Sequence, residues 1–136
     1  MSEQNAELVR RIFDAFNDLD ADAMLEMWTP DCEWRPAFSG GGLLEGAVYR
    51  GREGLADYLA MQPETWESIV VASRETIADL GDRILIELQL NAIGKASGVP
   101  VEAITWTYFE LRDGRVAVAR VYTTKAEALE AIGLEE

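Results

Sequence analysis

The chain has 136 residues, 49% of them hydrophobic and 27% charged, with a formal net charge of −13. This length predicts a single domain over residues 1–136, because domains most often span roughly 100–150 residues. The 12 basic residues against 25 acidic ones argue against nucleic-acid binding and against anionic membranes. No apolar run reaches the ~20 residues of a membrane span. Residues 1–5 lack the basic and apolar start of a signal peptide, which predicts a cytoplasmic protein.

The rare residues exclude several reaction classes. The chain has no histidine and one cysteine, Cys32, so it forms no internal disulfide. Without histidine, Ser-His-Asp and Cys-His catalysis and the usual zinc sites are excluded. A general acid or base must then be a carboxylate, Tyr, Lys, Cys32 or a bound water. We expect Cys32 to be a small buried hydrophobe, and we expect no metal and no cofactor.

The first half of the sequence predicts three helices. Residues 6–19 place apolar side chains at helical spacing: Leu8, Val9, Ile12, Phe13 and Phe16. Asp20 is placed as the N-cap of a short second helix that Pro30 should stop. A third helix should follow Gly51 and end before Pro63. We expect five residues of the first two predicted helices to be part of the core: Phe13, Phe16, Met24, Met27 and Trp28.

A glycine-rich stretch separates the second and third helices. Residues 32–36 predict a short strand, and residues 39–42 (Ser-Gly-Gly-Gly) predict a flexible loop within 37–46. No Gly-Lys-Ser/Thr follows these glycines, so the stretch is not a phosphate-binding P-loop.

The second half predicts an antiparallel meander. Residues 66–79, 84–91, 99–112 and 115–123 are rich in β-formers or alternate between apolar and polar side chains. Asp113-Gly114 is a strong tight-turn signal. Thr124 and Glu127 have the spacing of a capping box, and Gly133 suits the end of a last helix. Helices followed by a meander predict an α+β fold whose helices cover one face of a curved antiparallel sheet.

Motifs in this order resemble the SnoaL-like branch of the nuclear-transport-factor-2-like (ketosteroid isomerase-like) superfamily over almost the whole chain. The residues that carry the resemblance are Phe16–Asp20, Pro30–Pro36, Tyr49–Gly54, Asp79–Arg83, Leu111–Arg115 and Val121-Tyr122. The resemblance implies a cystatin-type α+β cone, with N-terminal helices packed on a strongly curved antiparallel sheet that encloses a pocket. The family includes isomerases, polyketide cyclases, epoxide hydrolases, dehydratases and noncatalytic binders, so fold alone does not choose a function.

The catalytic positions that the resemblance implies depart from the isomerase pattern. Arg35 stands where the general-base Asp precedes a proline, Ile12 replaces the Tyr of the first helix, and Thr107 lies near the position of the protonated Asp. The dehydratase branch needs histidines, and we find no match for the Asp–Arg–Asp network of the epoxide hydrolases. Glu87 and Glu102 are possible strand carboxylates. The strand alternation that the resemblance implies places both of their side chains outside the cone.

The candidate substrate-binding residues are Arg35, Trp34, Phe38, Tyr49, Tyr58, Thr105, Thr107 and Phe109. A guanidinium in a dry pocket clamps a carboxylate or polarises a carbonyl, and the favoured alternative is that Arg35 pairs with Glu33, Asp57 or another carboxylate at the mouth of the cone. The aromatic residues suit a pocket wall or ordinary core packing. On strand 99–112 the resemblance favours Thr105, Thr107 and Phe109 facing inward, and the opposite parity would turn Glu102, Trp106 and Tyr108 inward.

We therefore predict a protein that binds a small apolar molecule, with two functions left open. One is a cofactor-independent isomerase, cyclase or hydrolase whose catalytic residues are unknown. The other is a noncatalytic ligand-binding or dimerisation module of the same fold. If Trp106 and Tyr108 lie on the outer sheet face, we expect a homodimer through that face, because aromatic rows are uncommon on exposed surfaces.

Overall fold

Two capped helices begin the chain in the computed structural model, which describes residues 2–39, 42–43 and 47–133. Helix α1 spans Glu3–Asn17, and the Ser2 hydroxyl at its N-cap accepts a hydrogen bond from the backbone N–H of Asn5. Helix α2 spans Ala21–Glu26, and the Asp20 side chain accepts one from the backbone N–H of Ala23. The predicted Asp20 cap is therefore confirmed, since its carboxylate satisfies a donor that the first turn leaves unpaired.

After these helices come four strands, a long helix, a four-strand meander and a final helix. In chain order they are β1 Trp28–Arg35, β2 Phe38–Ser39, β3 Gly42–Leu43, β4 Tyr49–Arg50, α3 Gly51–Thr65, β5 Trp66–Asp79, β6 Arg83–Gly94, β7 Pro100–Arg112, β8 Arg115–Tyr122 and α4 Lys125–Ile132. Of the glycine-rich stretch, Ser39 pairs with Gly42 in a two-residue ladder. Residues 40–41 and 44–46 of the predicted loop lie outside the described residues.

The main sheet has six strands in the order β4-β1-β8-β7-β6-β5. The meander β5 to β8 is antiparallel as predicted, but β1 lies parallel to β8. Register shifts interrupt the β5–β6 ladder near Ser73 and Thr76 and the β7–β8 ladder at Glu110. Such bulges bend a strand and increase its twist, so the sheet curves around the N-terminal helices.

The β7–β8 hairpin has the tight turn that its sequence predicts. Asp113 has φ 55° and Gly114 has φ 76°, so both central residues lie in the left-handed region. A two-residue turn of this kind matches the twist of its flanking strands, and Asp-Gly tolerates it best. The turn fixes the register in which Arg112 lies opposite Arg115.

The sheet is covered on both faces, which differs from the expectation that all helices lie on one side. The first three helices pack on the inner face, against residues such as Ile84, Ile86 and Phe109. Helix α4 packs on the outer face, where Leu129 and Ile132 form a separate cluster with Leu85 and Tyr122. Leu85 is fully buried for this reason, although its neighbours Ile84 and Ile86 face the other way.

Two prolines do not end the helices that the sequence predicts them to end. Pro30 was expected to stop α2, but the helix already ends at Glu26 and Pro30 lies within β1. Pro63 was expected to end α3, but it lies in the last turn of a helix that continues to Thr65. A proline removes one backbone N–H and crowds the carbonyl of the preceding turn, and the helix loses little when this happens only two residues before its end.

The described helices include none that is both long and apolar enough to cross a membrane.

Candidate functional site

A cavity lies between the inner face of the sheet and helices α1 to α3. It has a volume of about 80 Å³ and is partly open to the surface. The helices contribute Ile12, Phe13, Phe16, Met24, Leu55, Tyr58 and Leu59, and the strands and the turn after β1 contribute Trp28, Trp34, Pro36, Ala37, Trp66, Ile69, Val71, Leu88, Leu90, Thr105, Thr107, Phe109 and Val121. The wall is almost wholly apolar, because the helices and the curved sheet each turn their apolar stripe toward it.

Strand β7 turns Thr105, Thr107 and Phe109 toward the cavity. All three side chains are at most 3% exposed. Alternate residues of a strand share one face, so Trp106 and Tyr108 point outward between them. The structure therefore has the strand orientation that the resemblance favours, with Thr105, Thr107 and Phe109 facing inward. Two hydroxyls, those of Thr105 and Thr107, are placed in an otherwise apolar wall.

A row of edge-on aromatic rings forms the opposite wall. The Trp28 and Trp34 ring centroids are 6.0 Å apart with planes at 83°, and those of Trp34 and Tyr58 are 5.5 Å apart at 74°. Tyr49 continues the row behind Tyr58, at 5.1 Å and 62°. Edge-to-face rings at these distances attract one another beyond simple area burial. The row connects β1 to α3 and holds the ring orientations on this side of the cavity.

Two indole N–H groups in this wall have no acceptor. The Nε1 atoms of Trp28 and Trp34 are buried and make no hydrogen bond with any described residue. A buried donor without a partner costs about 1–3 kcal/mol, and buried tryptophans normally find an acceptor. The two tryptophans line the cavity, and their indole N–H groups are donors that lack a partner among the described residues.

The Tyr58 hydroxyl is a further polar group in the wall, and its environment keeps it protonated. Burial raises the pKa of the Tyr58 hydroxyl, and the neighbouring Tyr49 hydroxyl adds to the effect. The side chains of Trp34 and Gln62 act in the opposite direction but do not offset burial. Trp34 Nε1 is near this hydroxyl without meeting hydrogen-bond geometry. The phenol is therefore a donor to a ligand rather than a base.

Arg35 lies outside this cavity, contrary to its prediction as a clamp. Its neighbour Trp34 faces inward and pairs with buried Ala119, so Arg35 faces the other side of the strand opposite Arg120. There its guanidinium donates to Glu33 Oε1, from Nη2 at 2.6 Å and from Nε at 3.0 Å. Adjacent strand residues point to opposite faces, so Trp34 and Arg35 could not both have lined the same pocket.

One of the candidate aromatic residues, Tyr49, lies outside the cavity wall. Tyr49 packs behind Tyr58 and places its hydroxyl 3.8 Å from the sulfur of Met61. Phe38 lies in β2, and its side chain is outside what the structure describes. The structure thus brings together Trp34, Tyr58, Thr105, Thr107 and Phe109 from the candidate set.

No side chain with a carboxylate or a basic group lines this cavity in the described part of the chain. Glu87 lies on the outer face, where it accepts hydrogen bonds from Trp106 Nε1 at 3.1 Å and Arg74 Nε at 3.3 Å. Glu102 is exposed. Across residues 2–39, 42–43 and 47–133 no group of His, Cys, Asp or Glu is arranged to hold a metal ion. The described wall can therefore bind apolar surface and donate hydrogen bonds.

Sequence reasoning missed the contribution of β5 and assigned several lining residues to the core alone. Trp66, Ile69 and Val71 line the cavity from the edge strand β5, Met24 lines it from α2, and Trp28 lines it from β1. Ile69 and Val71 lie two residues apart with exposed Val70 between them, which is the alternation of a half-buried strand. That alternation was readable, but the face that it buries depends on the curvature of the sheet.

Solved structures share this architecture at low sequence identity. A hypothetical protein with a ketosteroid isomerase-like fold from Catenulispora acidiphila, in complex with trimethylamine, is 20% identical with a TM-score of 0.75, and the match covers 94% of this chain and 93% of that one. TerC, co-crystallised with polyporic acid, is 22% identical with a TM-score of 0.74, covering 96% and 98%. A putative SnoaL-like polyketide cyclase from Jannaschia is 22% identical with a TM-score of 0.75, covering 100% and 98%. These likenesses confirm the α+β cone.

Sequence comparison identifies the family. No protein with a curated description matches the chain. The family model described as the SnoaL-like domain matches residues 9–119, which run from the first turns of α1 into β8 and include most of the residues that line the cavity. The chain therefore belongs to the SnoaL-like domain family.

Proposed function

We propose that this protein binds a small, largely apolar molecule that carries one acceptor oxygen, and that it holds this molecule in the cavity without a cofactor. The observation that carries the proposal is the pair of buried indole N–H groups, Trp28 Nε1 and Trp34 Nε1, left without acceptors in an apolar wall. A carbonyl or ether oxygen would satisfy one or both of them, and the remaining surface would bury a hydrocarbon skeleton.

The size of the cavity limits the ligand to about one ring. The cavity measures about 80 Å³, and an engineered apolar cavity of roughly 150 Å³ holds benzene. A single-ring ligand therefore requires a modest outward movement of the lining side chains or extends through the open side. Polycyclic substrates would require a larger rearrangement.

The polar groups favour binding over acid–base catalysis. Proton abstraction requires a base near the substrate, and the ionisable group in the described wall is the Tyr58 phenol, whose pKa is raised by burial. A neutral phenol and two indoles donate hydrogen bonds to an oxygen but accept no proton from carbon. Such donors would also stabilise an enolate, so an isomerase or cyclase reaction would need its base from a residue elsewhere in the chain or from the substrate.

Two of the structural neighbours hold small organic molecules. TerC has been crystallised with polyporic acid, and the protein from Catenulispora acidiphila with trimethylamine. Each of these proteins shares the cone and binds a small organic molecule. We extend only this shared capacity to the present chain.

The proposal is tested by thermal shift with acetophenone and ethylbenzene, which differ in a carbonyl at the same ring size. At about ten times its dissociation constant, acetophenone should raise the melting temperature by about 4–6 °C, and ethylbenzene should bind more weakly. Thr107→Leu fills the cavity and should abolish the shift, whereas Thr123→Leu at an exposed position should keep it. The proposal fails if neither compound shifts the wild type, or if Thr107→Leu responds as the wild type does.

We also propose that two copies pair through the part of the outer sheet face that α4 leaves open. Trp106 and Tyr108 point outward and are half-buried, and both pack against the cluster that α4 forms on this face. The open part includes Val70, which is 49% exposed, and half-buried Ile104. Apolar side chains on a sheet face support association, although Glu87 and Arg74 keep this face partly polar.

Light scattering after size exclusion tests the pairing. We expect a dimer for the wild type and a monomer for Trp106→Glu, because the new carboxylate would lie beside Glu87 in the paired face. Val99→Glu, at an exposed position on the β6–β7 connection, should remain dimeric. A monomeric wild type would refute the pairing and leave the ligand proposal unaffected.

A further inference from the structure

A second concave surface lies on the opposite side of α2 from the ligand cavity and collects basic side chains. It is a groove of about 560 Å³ lined by Leu8, Arg11, Leu25, Glu26, Met27, Arg52, Asp113, Gly114 and Arg115, which we call the arginine groove. It brings together side chains from α1, α2, α3 and the β7–β8 turn. None of these residues lines the ligand cavity.

The arginines of this groove differ from most others in the chain because they lack carboxylate partners. Arg10, Arg35, Arg50, Arg74 and Arg112 each form an ion pair. Arg11, Arg52 and Arg115 form none with a described residue, although the chain carries a net charge of −13. In so acidic a chain, three guanidinium groups around one groove without an ion pair to a described carboxylate require an explanation.

Arg52 is held in place as one wall of the groove. Its Nη2 donates to the backbone carbonyl of Trp28 at 3.1 Å, and its Nε is buried without a partner among the described residues. Fixing a guanidinium before a ligand arrives lowers the entropy that binding must offset. Arg11 and Arg115 are exposed and reach the same groove from α1 and β8.

The charge balance and the apolar floor identify the class of ligand. Glu26 and Asp113 also line the groove, so its three arginines leave a net charge of about +1. One negative charge matches that balance better than a doubly charged phosphate does. Leu8, Leu25 and Met27 provide apolar surface beside the guanidinium groups. Guanidinium groups bind carboxylates through paired hydrogen bonds, and an alkyl chain would cover the leucines.

We infer that the arginine groove binds a monocarboxylate with an apolar tail, at a site separate from the ligand cavity. The carboxylate contacts Arg11 and Arg115 at the open side, with Arg52 behind them, and the tail lies along Leu8 and Leu25. The binding is independent of the proposed function in the cavity.

Titration with hexanoate, followed by two-dimensional NMR of the whole chain, tests this inference. Hexanoate should shift the backbone amide of Gly114 and the methyl group of Met27 saturably, while the amides of Thr105 and Thr107 report on the cavity. Hexanol, which lacks the charge, and inorganic phosphate, which lacks the tail, should each bind at least about tenfold more weakly. Added salt should weaken hexanoate, since both outer arginines are exposed.

Variants distinguish the groove from nonspecific attraction to positive charge. The double variant Arg11→Ala/Arg115→Ala should lose on the order of tenfold in hexanoate affinity, as expected for two exposed charge contacts. Arg10→Ala removes one positive charge at the position next to Arg11, where Arg10 pairs with Glu7 and Asp14, and should keep the affinity. The inference is overturned if hexanoate shifts no groove signal, if hexanol or phosphate binds equally well, or if the double variant binds as tightly as Arg10→Ala.

Discussion

Replacing Trp34 with Phe isolates the hydrogen bond on which the proposed function depends. The indole of Trp34 stands edge-on to Trp28 and to Tyr58, at 6.0 Å and 5.5 Å, and its Nε1 is buried without an acceptor. Phe keeps an aromatic ring in this row and removes the N–H. Without ligand, removing the unsatisfied donor should stabilise the fold by about 1–2 kcal/mol, and losing ring contacts should destabilise it by a similar amount. We expect the free energy of unfolding to change by less than about 1 kcal/mol.

The effect on ligand affinity should depend on whether the ligand has an oxygen. In the wild type, a carbonyl that accepts from Trp34 Nε1 removes a penalty of about 1–3 kcal/mol, so Trp34→Phe should weaken acetophenone by about 5- to 150-fold. Ethylbenzene in Trp34→Phe loses only a few contacts with ring carbons, each worth about 0.1–0.2 kcal/mol. Its affinity should therefore fall by less than about threefold.

Calorimetric titration of both ligands measures this difference, and urea denaturation measures stability alongside it. Trp106→Phe is the matched control, because Trp106 lies on the outer face with its Nε1 bonded to Glu87. Neither ligand should distinguish that variant from the wild type. An unchanged acetophenone affinity in Trp34→Phe, or an equal loss for both ligands, would refute the assignment of this indole as the donor.

Three further predictions concern the scaffold. The backbone N–H of Gly81, with further donors near the N-terminus, lowers the pKa of Asp79. The ionised carboxylate therefore stabilises the fold above its ordinary pKa, and this stabilisation is lost as the pH falls through the lowered value. The difference in free energy of unfolding between wild type and Asp79→Asn, measured in urea, should close in strong acid, and a difference that is constant with pH would contradict this account. Gly114→Ala should cost about 1–2 kcal/mol by urea denaturation because φ is 76°, and an unchanged midpoint would show that the turn relaxes. Ile132→Ala should cost about 2–5 kcal/mol by the same measurement, because α4 covers Leu85 on the outer face; a loss below 1 kcal/mol would mean that α4 is loosely attached.

Local chemistry determined much of the fold directly from the sequence. The Asp20 and Thr124 caps, the Asp113-Gly114 turn and the bounds of β5 are all as predicted. Each depends on hydrogen bonds or backbone angles within a few residues of itself, so neighbouring sequence is sufficient to specify it. Strand alternation likewise indicated which residues share a face with Thr105.

The tertiary structure alone decided which face each element buries and where the cavity lies. The sequence could not show that α4 crosses to the outer face, since an apolar stripe indicates that a helix is covered but not by which side of a sheet. It placed Arg35 beside Trp34 in one pocket, although the pairing with Ala119 and Arg120 turns the two apart. The arginine groove joins residues from α1 to the β7–β8 turn, which are distant in sequence. Such convergence depends on strand order and curvature, which arise from contacts between distant segments rather than from any one of them.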